Sequence, residues 1–448
     1  MYIDFLLEVF EKNKSSTSII WNEKSFSYNW LIDKVSEQKE FLKKNRIQTG
    51  QVVSVKGDFS PVSISLLLAL IENRNIIVPL INSSINDADK KLKIAGAELI
   101  ISIDENDNTE LSQLPYNLNH EFYNNLRENN YPGLVLFTSG TSGEPKAAVH
   151  NFTKLLEKFK TPRKSLRTVN FLLFDHWGGL NTLFHTISNG GVVLALHDRS
   201  PEKVCAFIEK HKIELLPASP TFLNLLLISE AYKNYDLSSM KLITYGTEPM
   251  PESTLKRIKE IFPGIKLQQT YGLIELGVLR SKSKSDDSLW VKIGGEGFNT
   301  RIVDGMLQIK ADSAMLGYLN APSPFTDDGY FITGDAVEVN GEYIKILGRK
   351  SELINVGGEK VYPAEVEDVI LQLNNVADAT VFSEKNPITG NIVCAKVSLK
   401  QDEDKKDFTK RLKRFCRSKL ESFKVPVKIT ITNELQHSER FKKKRAGI

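Results

Sequence analysis

The sequence predicts an α/β protein of two lobes. The larger, residues 1–348, is expected to hold mostly parallel or mixed sheets with packed helices; the smaller, residues 349–448, is expected to be α+β. Three observations carry this. The chain has 448 residues, more than one compact core serves. Its first hundred residues alternate β-branched runs with helix-like segments, the rhythm of crossover units on a largely parallel sheet. Charge is also unevenly spread: residues 349–448 hold 21 Lys and Arg against 14 Asp and Glu, in a chain whose formal net charge is only +4.

Taken in order, Gln51–Lys56 (QVVSVK) reads as a strand, Val62–Glu72 as a helix and Asn75–Leu80 as a second strand. Asp87–Ile94 reads as a short helix and Glu98–Ser102 as a third strand. The polar stretch Glu105–Asn130 reads as a loop. Strand-like runs resume at Leu134–Phe137, Phe171–Phe174, Gly191–Leu196, Ile213–Ala218 and Lys241–Gly246. A second polar stretch, Ser281–Ser288, is expected to separate two subdomains of the large lobe. After Gly348-Arg349-Lys350 the pattern becomes βαβ-like and basic, which sets the lobe boundary.

Composition excludes several classes. The hydrophobic content of 41% and charged content of 25% are those of an ordinary soluble chain. No apolar run approaches the roughly 20 residues that span a bilayer. The first helix-like stretch has its apolar patch, Phe5 to Phe10, interrupted by Asp4, Glu8 and Glu11, and so reads as an amphipathic helix and not a signal peptide. Cys205, Cys394 and Cys416 lie far apart and form no metal-ligand spacing. Their odd number suits a reducing compartment, the cytoplasm. A net charge of +4 does not argue for nucleic acid. The basic C-terminal lobe is either a solvated face or a surface that meets an acidic partner, a nucleotide phosphate or an acidic carrier protein.

The most informative stretch is Leu134–His150, LVLFTSGTSGEPKAAVH. An apolar run enters Thr138-Ser139-Gly140-Thr141-Ser142-Gly143, followed by Glu144-Pro145-Lys146. Glycines let backbone N–H groups approach an anion closely, the hydroxyls add donors, and Lys146 adds a mobile positive charge. The spacing is not the Walker pattern. A flexible Ser/Gly linker is the alternative, but a linker does not require Pro145-Lys146 at a fixed offset or an apolar strand before it.

This loop resembles the signature of the adenylate-forming superfamily: acyl- and aryl-CoA synthetases, adenylation domains of peptide synthetases, and luciferases. Further motifs follow in family order over essentially the whole chain. Gly246-Thr247-Glu248-Pro249 resembles the family's adenine-contacting turn. Tyr271-Gly272-Leu273-Ile274-Glu275 resembles the motif whose aromatic stacks on adenine and whose carboxylate holds Mg²⁺. Ile274 stands where most relatives carry a hydroxyl. Thr333-Gly334-Asp335 implies that Asp335 accepts from the ribose hydroxyls, and Arg349 would reach the same ribose or the phosphate. Lys350 matches the hinge about which a mobile small lobe turns. Gly357 and Gly358 match the turn that lines the pantetheine path. The stretch Leu435 to Arg445 stands where relatives carry a Pro-x-Thr-x-x-Gly-Lys signature; Gln436 replaces the Pro and Phe441 the Gly. Lys442 aligns with the catalytic lysine, with the register against Lys443 open by one.

For the acyl pocket the resemblance points to Asp175-His176-Trp177-Gly178, with Tyr245 and Ile274. His176 aligns with the histidine that closes over the carboxylate in aryl- and acyl-CoA synthetases, whereas Asp175 resembles the aspartate that binds an α-amino group in peptide synthetases. Gly178-Gly179 is read as room for a ligand. The resemblance implies ATP and Mg²⁺, a small carboxylic acid substrate, and CoA or the phosphopantetheine of a carrier protein as acceptor. Lys146, His176, Glu275 and Lys442 would carry the catalysis. A nucleotide-binding pseudoenzyme is the reading from another class.

Overall fold

A computed structural model describes residues 2–81, 85–139, 144–434, 436–438 and 441–444, with residues 85 and 139 described by their backbone alone. The chain divides into two compact units. One comprises Met1–Pro217, Gly272–Val278 and Ala311–Pro324; the other comprises Ala218–Tyr271, Leu279–Lys310 and Phe325–Ile448.

The first unit holds a seven-stranded sheet in the order Gly317–Tyr318, Pro145–Asn151, Gly133–Ser139, Ile76–Leu80, Val52–Lys56, Leu99–Ile103, Thr109–Gln113. Its centre is parallel and its margins antiparallel. Helix Pro61–Glu72 shows why a parallel centre forms here. It is apolar on every side, and Ile64 to Ile71 are buried; such a helix is stable only when covered all round. It begins on a reciprocal cap between Ser60 and Ser63, with Pro61 in its first turn. In the same unit Leu215–Ala218, Thr168–Asn170, Val193–Ala195 and Thr17–Trp21 run parallel side by side, with Lys24–Ser27 antiparallel at the margin. The expected amphipathic helix is Asp4–Lys12, burying Leu6 and Phe10.

The second unit contains the parallel pair Leu242–Tyr245 and Lys266–Gln269, joined through helix Glu252–Ile261. A six-stranded sheet follows, in the order Arg280–Ser283, Val291–Gly294, Tyr343–Arg349, Phe331–Asn340, Met306–Ala311, Phe298–Val303. Beyond Arg349 the chain builds a core of its own. Strands Val376–Asn386, Gly390–Leu399 and Lys428–Ile431 pack with helices Pro363–Leu371 and Lys405–Arg417 around Val366, Ile370, Val381, Val393, Phe408 and Leu412. The strand pair flanking the second of these helices is parallel, a βαβ unit, whereas the first two strands form an antiparallel hairpin.

Three expectations are corrected. Glu105–Asn130 is not a loop: Thr109–Gln113 is an edge strand, and Glu121–Glu128 is a helix that buries Tyr123 and Leu126. Two buried residues on an otherwise polar helix give too weak a period to read. Phe171–Phe174 is not a strand, because the strand ends at Asn170. Its aromatics are buried from a loop, Phe174 edge-on to Phe59 at 5.2 Å. Ser281–Ser288 does not separate subdomains, since Arg280–Ser283 is an edge strand paired with Val291–Gly294 inside one unit. All three cysteines are free and buried. Among the described residues no helix is long and apolar enough to cross a membrane.

Candidate active site

In the first unit, strands Gly133–Ser139 and Pro145–Asn151 pair as far as Ser139 with Pro145 and Thr138 with Lys146. Gly140, Thr141, Ser142 and Gly143, the predicted phosphate-binding residues, lie outside the described residues, as does the side chain of Ser139. The start of the strand Pro145–Asn151 is held by Asn320, which accepts from the Ala147 N–H at 3.0 Å and donates to the Pro145 carbonyl at 2.9 Å.

Segment Ala311–Pro324 also carries a residue that no sequence motif marks. Tyr318 donates its hydroxyl to Glu275 Oε1 at 2.6 Å, and Lys146 Nζ lies 5.5 Å from the centre of its ring. One tyrosine therefore bridges the loop's cation and the predicted metal-holding carboxylate. Glu275 is 8% exposed. Its peptide carbonyl accepts from Met315 N–H at 2.8 Å, so both its side chain and its backbone are fixed. Among the described residues no group of three or more His, Cys, Asp or Glu could hold a metal by itself. A lone carboxylate still fits Mg²⁺, which usually takes one or two carboxylates and completes its shell with water and substrate phosphates.

The predicted acyl-pocket residues of this unit fold around one helix start. Trp177–Ile187 is helical, and His176 is its N-cap: Gly178 N–H donates to His176 Nδ1 at 3.0 Å. Asp175 is 4% exposed and Trp177 2%. The Gly178-Gly179 pair is explained by packing and not by room for a ligand. A Cβ at Gly179 would lie 2.2 Å from the Leu173 carbonyl oxygen, and one at Gly178 2.5 Å from Leu172 Cδ1. Ile274 is partly buried against the unit's apolar core, which accounts for an aliphatic residue there. Beside it His150 is buried, and desolvation pushes its imidazole down to about 4. Lys158, not anticipated from sequence, donates to the Val278 carbonyl at 3.2 Å; desolvation pushes its amine down to about 7.

The second unit assembles the predicted nucleoside residues. Tyr271 donates to Asp335 Oδ2 at 2.6 Å, and Arg349 Nε stands 3.4 Å from Asp335 Oδ1. Strand pairing sets this geometry, because Asp335 and Arg349 are direct cross-strand partners. Asp335 is 6% exposed, as is Tyr271, whose phenol is pushed well above its ordinary value by burial and then by Asp335. The preceding turn is equally constrained. A Cβ at Gly246 would lie 2.6 Å from the Thr270 carbonyl oxygen, so only glycine fits, and Thr247 takes the left-handed φ of 72°. Tyr245 is 1% exposed. Glu248 accepts from Thr221 Oγ1 and from the Lys443 N–H, each at 2.6 Å. Gly272, by contrast, belongs to the first unit.

Lys350 is exposed directly after the strand ending at Arg349. Gly357 and Gly358 form the exposed turn between Ile354–Val356 and Glu359–Val361, with φ of 61° and 97°. A Cβ on either would meet nothing within 4 Å. Backbone conformation, and not crowding, selects these glycines.

Comparison with known proteins gives the class to which this fold belongs. The family model described as AMP-binding enzyme matches residues 7–306, and that described as AMP-binding enzyme C-terminal domain matches residues 365–442. The chain belongs to the AMP-binding enzyme family. It is 29% identical over 336 residues to acyl-CoA synthetase 7 of Caenorhabditis elegans, an alignment covering 67% of this chain and 62% of that protein. It is 24% identical to 2-succinylbenzoate–CoA ligase of Bacillus pumilus, covering 96% and 93%. The chain spans about three-fifths of the length of acyl-CoA synthetase 7 and of several other curated relatives that it matches. Among solved structures, an anthranilate CoA ligase bound to anthranoyl-AMP superposes with a TM-score of 0.83 at 18% identity, covering 99% of this chain and 95% of that one.

Proposed function

We propose that the protein is an AMP-forming acid–thiol ligase, activating a small carboxylic acid as its adenylate and passing the acyl group to CoA. The observation that carries this is the Lys146–Tyr318–Glu275 arrangement in the first unit. It brings one cation and one fixed carboxylate to the same tyrosine, and a magnesium-bound triphosphate calls for charges of both kinds. Names of relatives support the thiol acceptor. The three buried free thiols suit a reducing compartment such as the cytoplasm.

In the first step a carboxylate oxygen attacks the α-phosphorus of ATP; the new O–P bond forms as the bond to pyrophosphate breaks. No covalent enzyme intermediate is required, so orientation and charge neutralisation supply the rate. Lys146 and Lys442 neutralise phosphate and carboxylate charge, and Asp335 with Arg349 orients the ribose. Mg²⁺, held at Glu275, would supply charge neutralisation across the phosphates. In the second step residues 349–448 turn about Lys350, and a thiol sulfur attacks the acyl carbon, releasing AMP. Acid-dependent exchange of pyrophosphate into ATP tests the first step. The buried carboxylate of Asp175 keeps amino acids in the panel of candidate acids.

The second step has its own test. Gly358→Leu is expected to retain pyrophosphate exchange, accumulate acyl-AMP and lose thioester formation by at least about tenfold, by obstructing the pantetheine path. Because φ at Gly358 is 97°, any side chain strains the turn by about 1–2 kcal/mol. Gly358→Ala, which carries that strain without bulk, is the control, and equal loss in both variants would remove the tunnel assignment.

A carrier protein as acceptor is favoured by one feature. On helix Lys405–Arg417, residues Lys406, Lys410, Arg414 and Arg417 form an exposed stripe. Among the described residues none of the four pairs with a carboxylate. If a carrier protein docks there, transfer to it slows steeply with added salt, because screening acts over about 8–10 Å. Transfer to free pantetheine, which is uncharged, does not.

A further inference from the structure

Lys442 stands between two anchored neighbours. On one side, the Phe441 carbonyl accepts from Ser219 Oγ at 2.8 Å. Phe441 itself has a left-handed φ of 50°, and its ring packs on Phe222 at 5.4 Å and His437 at 5.8 Å. On the other side, Lys443 is held by backbone and side chain together. Its N–H donates to Glu248 Oε1 at 2.6 Å, and its ammonium pairs with Asp378 and donates to the Ala379 carbonyl at 2.8 Å. The side chains of Lys443 and Asp378 are only 10% and 12% exposed. A solvated basic tail has no reason to keep an ion pair this enclosed, since removing two charges from water is costly unless their geometry is fixed.

Glu248 adds a second link. Thr221 takes its other oxygen at 2.6 Å, so the carboxylate ties Lys443 to the turn that begins at Gly246. The residue expected to serve the adenine is used in this structure to hold the backbone beside Lys442.

Resting on the assignment of Lys442 to the adenylation step, we propose that Lys443, Asp378 and Glu248 are positioning residues for that step. The Lys443–Asp378 pair and the Glu248 strut fix the backbone at Lys442, so that its ammonium is delivered to the reacting carboxylate and α-phosphate without a conformational search. Lys443 itself touches no reacting atom. Phe441 takes over, by packing on Phe222 and His437, the restraint on the chain that a left-handed glycine alone does not give.

The test uses the full-length chain and reads the two half-reactions separately. Lys443→Met and Asp378→Leu each leave one charge enclosed without its partner. Each is expected to slow pyrophosphate exchange by about 10–30-fold while thioester formation from supplied acyl-AMP stays within about twofold of wild type. The double variant, which sets two apolar side chains together, is expected to recover exchange to within about threefold. Glu248→Ala is expected to lower kcat for exchange about tenfold with little change in the KM for ATP, whereas Glu248→Gln, which keeps an acceptor for the Lys443 N–H, stays within about threefold. Full exchange in both single variants, or equal loss of both half-reactions, overturns the positioning role. Lys442→Ala, measured alongside, separates the two levels of the claim. If it exchanges normally and the double variant does not, Lys443 is the reacting lysine and the proposal fails together with the assignment beneath it. If Lys442→Ala is inactive and the double variant does not recover, the assignment stands and only the positioning role falls.

Discussion

Lys442→Ala is expected to lose pyrophosphate exchange by about 10³-fold while thioester formation from supplied acyl-AMP continues at close to the wild-type rate. The size follows from removing a preorganised charge at the point where negative charge gathers; one such stabiliser is worth about 10²–10³ in rate. The asymmetry follows from the chemistry. In the second half-reaction the phosphorus–oxygen bond has already formed, and the sulfur attacks carbon. Measuring each half-reaction with its own substrate gives the comparison directly. Equal losses in both would mean that the lysine serves the fold or the lobe as a whole. Lys443 is not expected to substitute for Lys442, because its ammonium pairs with Asp378 and donates to the Ala379 carbonyl.

Glu275→Gln is expected to lower the adenylation rate by about 10²-fold, with the loss lessened as Mg²⁺ is raised. The substitution keeps shape and can still accept from Tyr318 at Oε1, so what is removed is charge. Tyr318→Phe provides the comparison. It leaves the carboxylate but frees it to rotate, and is expected to cost about 10-fold or less, since the hydrogen bond to a charged group contributes about 1.5–3 kcal/mol at most and part is recovered from water. A rate for Glu275→Gln unchanged at limiting Mg²⁺ would remove the metal assignment.

The fold class is legible because the strands of the parallel sheet, such as Val52–Lys56 and Ile76–Leu80, are nearly continuous apolar runs separated by helix-length segments. Elements at the margin are not. Thr109–Gln113 is an exposed edge strand with no apolar period, and Glu121–Glu128 buries only Tyr123 and Leu126, so nothing in their composition distinguishes them from a loop. Phe171–Phe174 errs the other way: its aromatics are buried from irregular backbone, which strand propensity alone converts into a strand.

In the site, motifs identify residue types but not partners. Asp335, Arg349 and Tyr271 stand in three separate motifs, and only strand register and the hydrogen bond from Tyr271 bring them to one carboxylate. Tyr318 and Asp378 belong to none of the motifs, and no local pattern marks either; their roles depend on side chains distant in sequence. Gly178-Gly179 illustrates the converse risk. A glycine pair beside a proposed pocket suggests space, yet here it admits the backbone of Leu172 and Leu173. The terminal stretch is the clearest case. Sequence alone leaves a run of lysines undifferentiated, whereas geometry gives Lys443 a carboxylate partner and a backbone anchor of its own.

The central claim, that this chain activates a carboxylic acid with ATP, is tested most directly by exchange of labelled pyrophosphate into ATP across a panel of aliphatic, aromatic, dicarboxylic and amino acids. The expected exchange depends on the acid, requires Mg²⁺, needs no thiol and disappears in Lys442→Ala. Binding of ATP with no acid-dependent exchange anywhere in the panel would contradict it, and would make the protein a nucleotide binder that has kept the fold without the reaction.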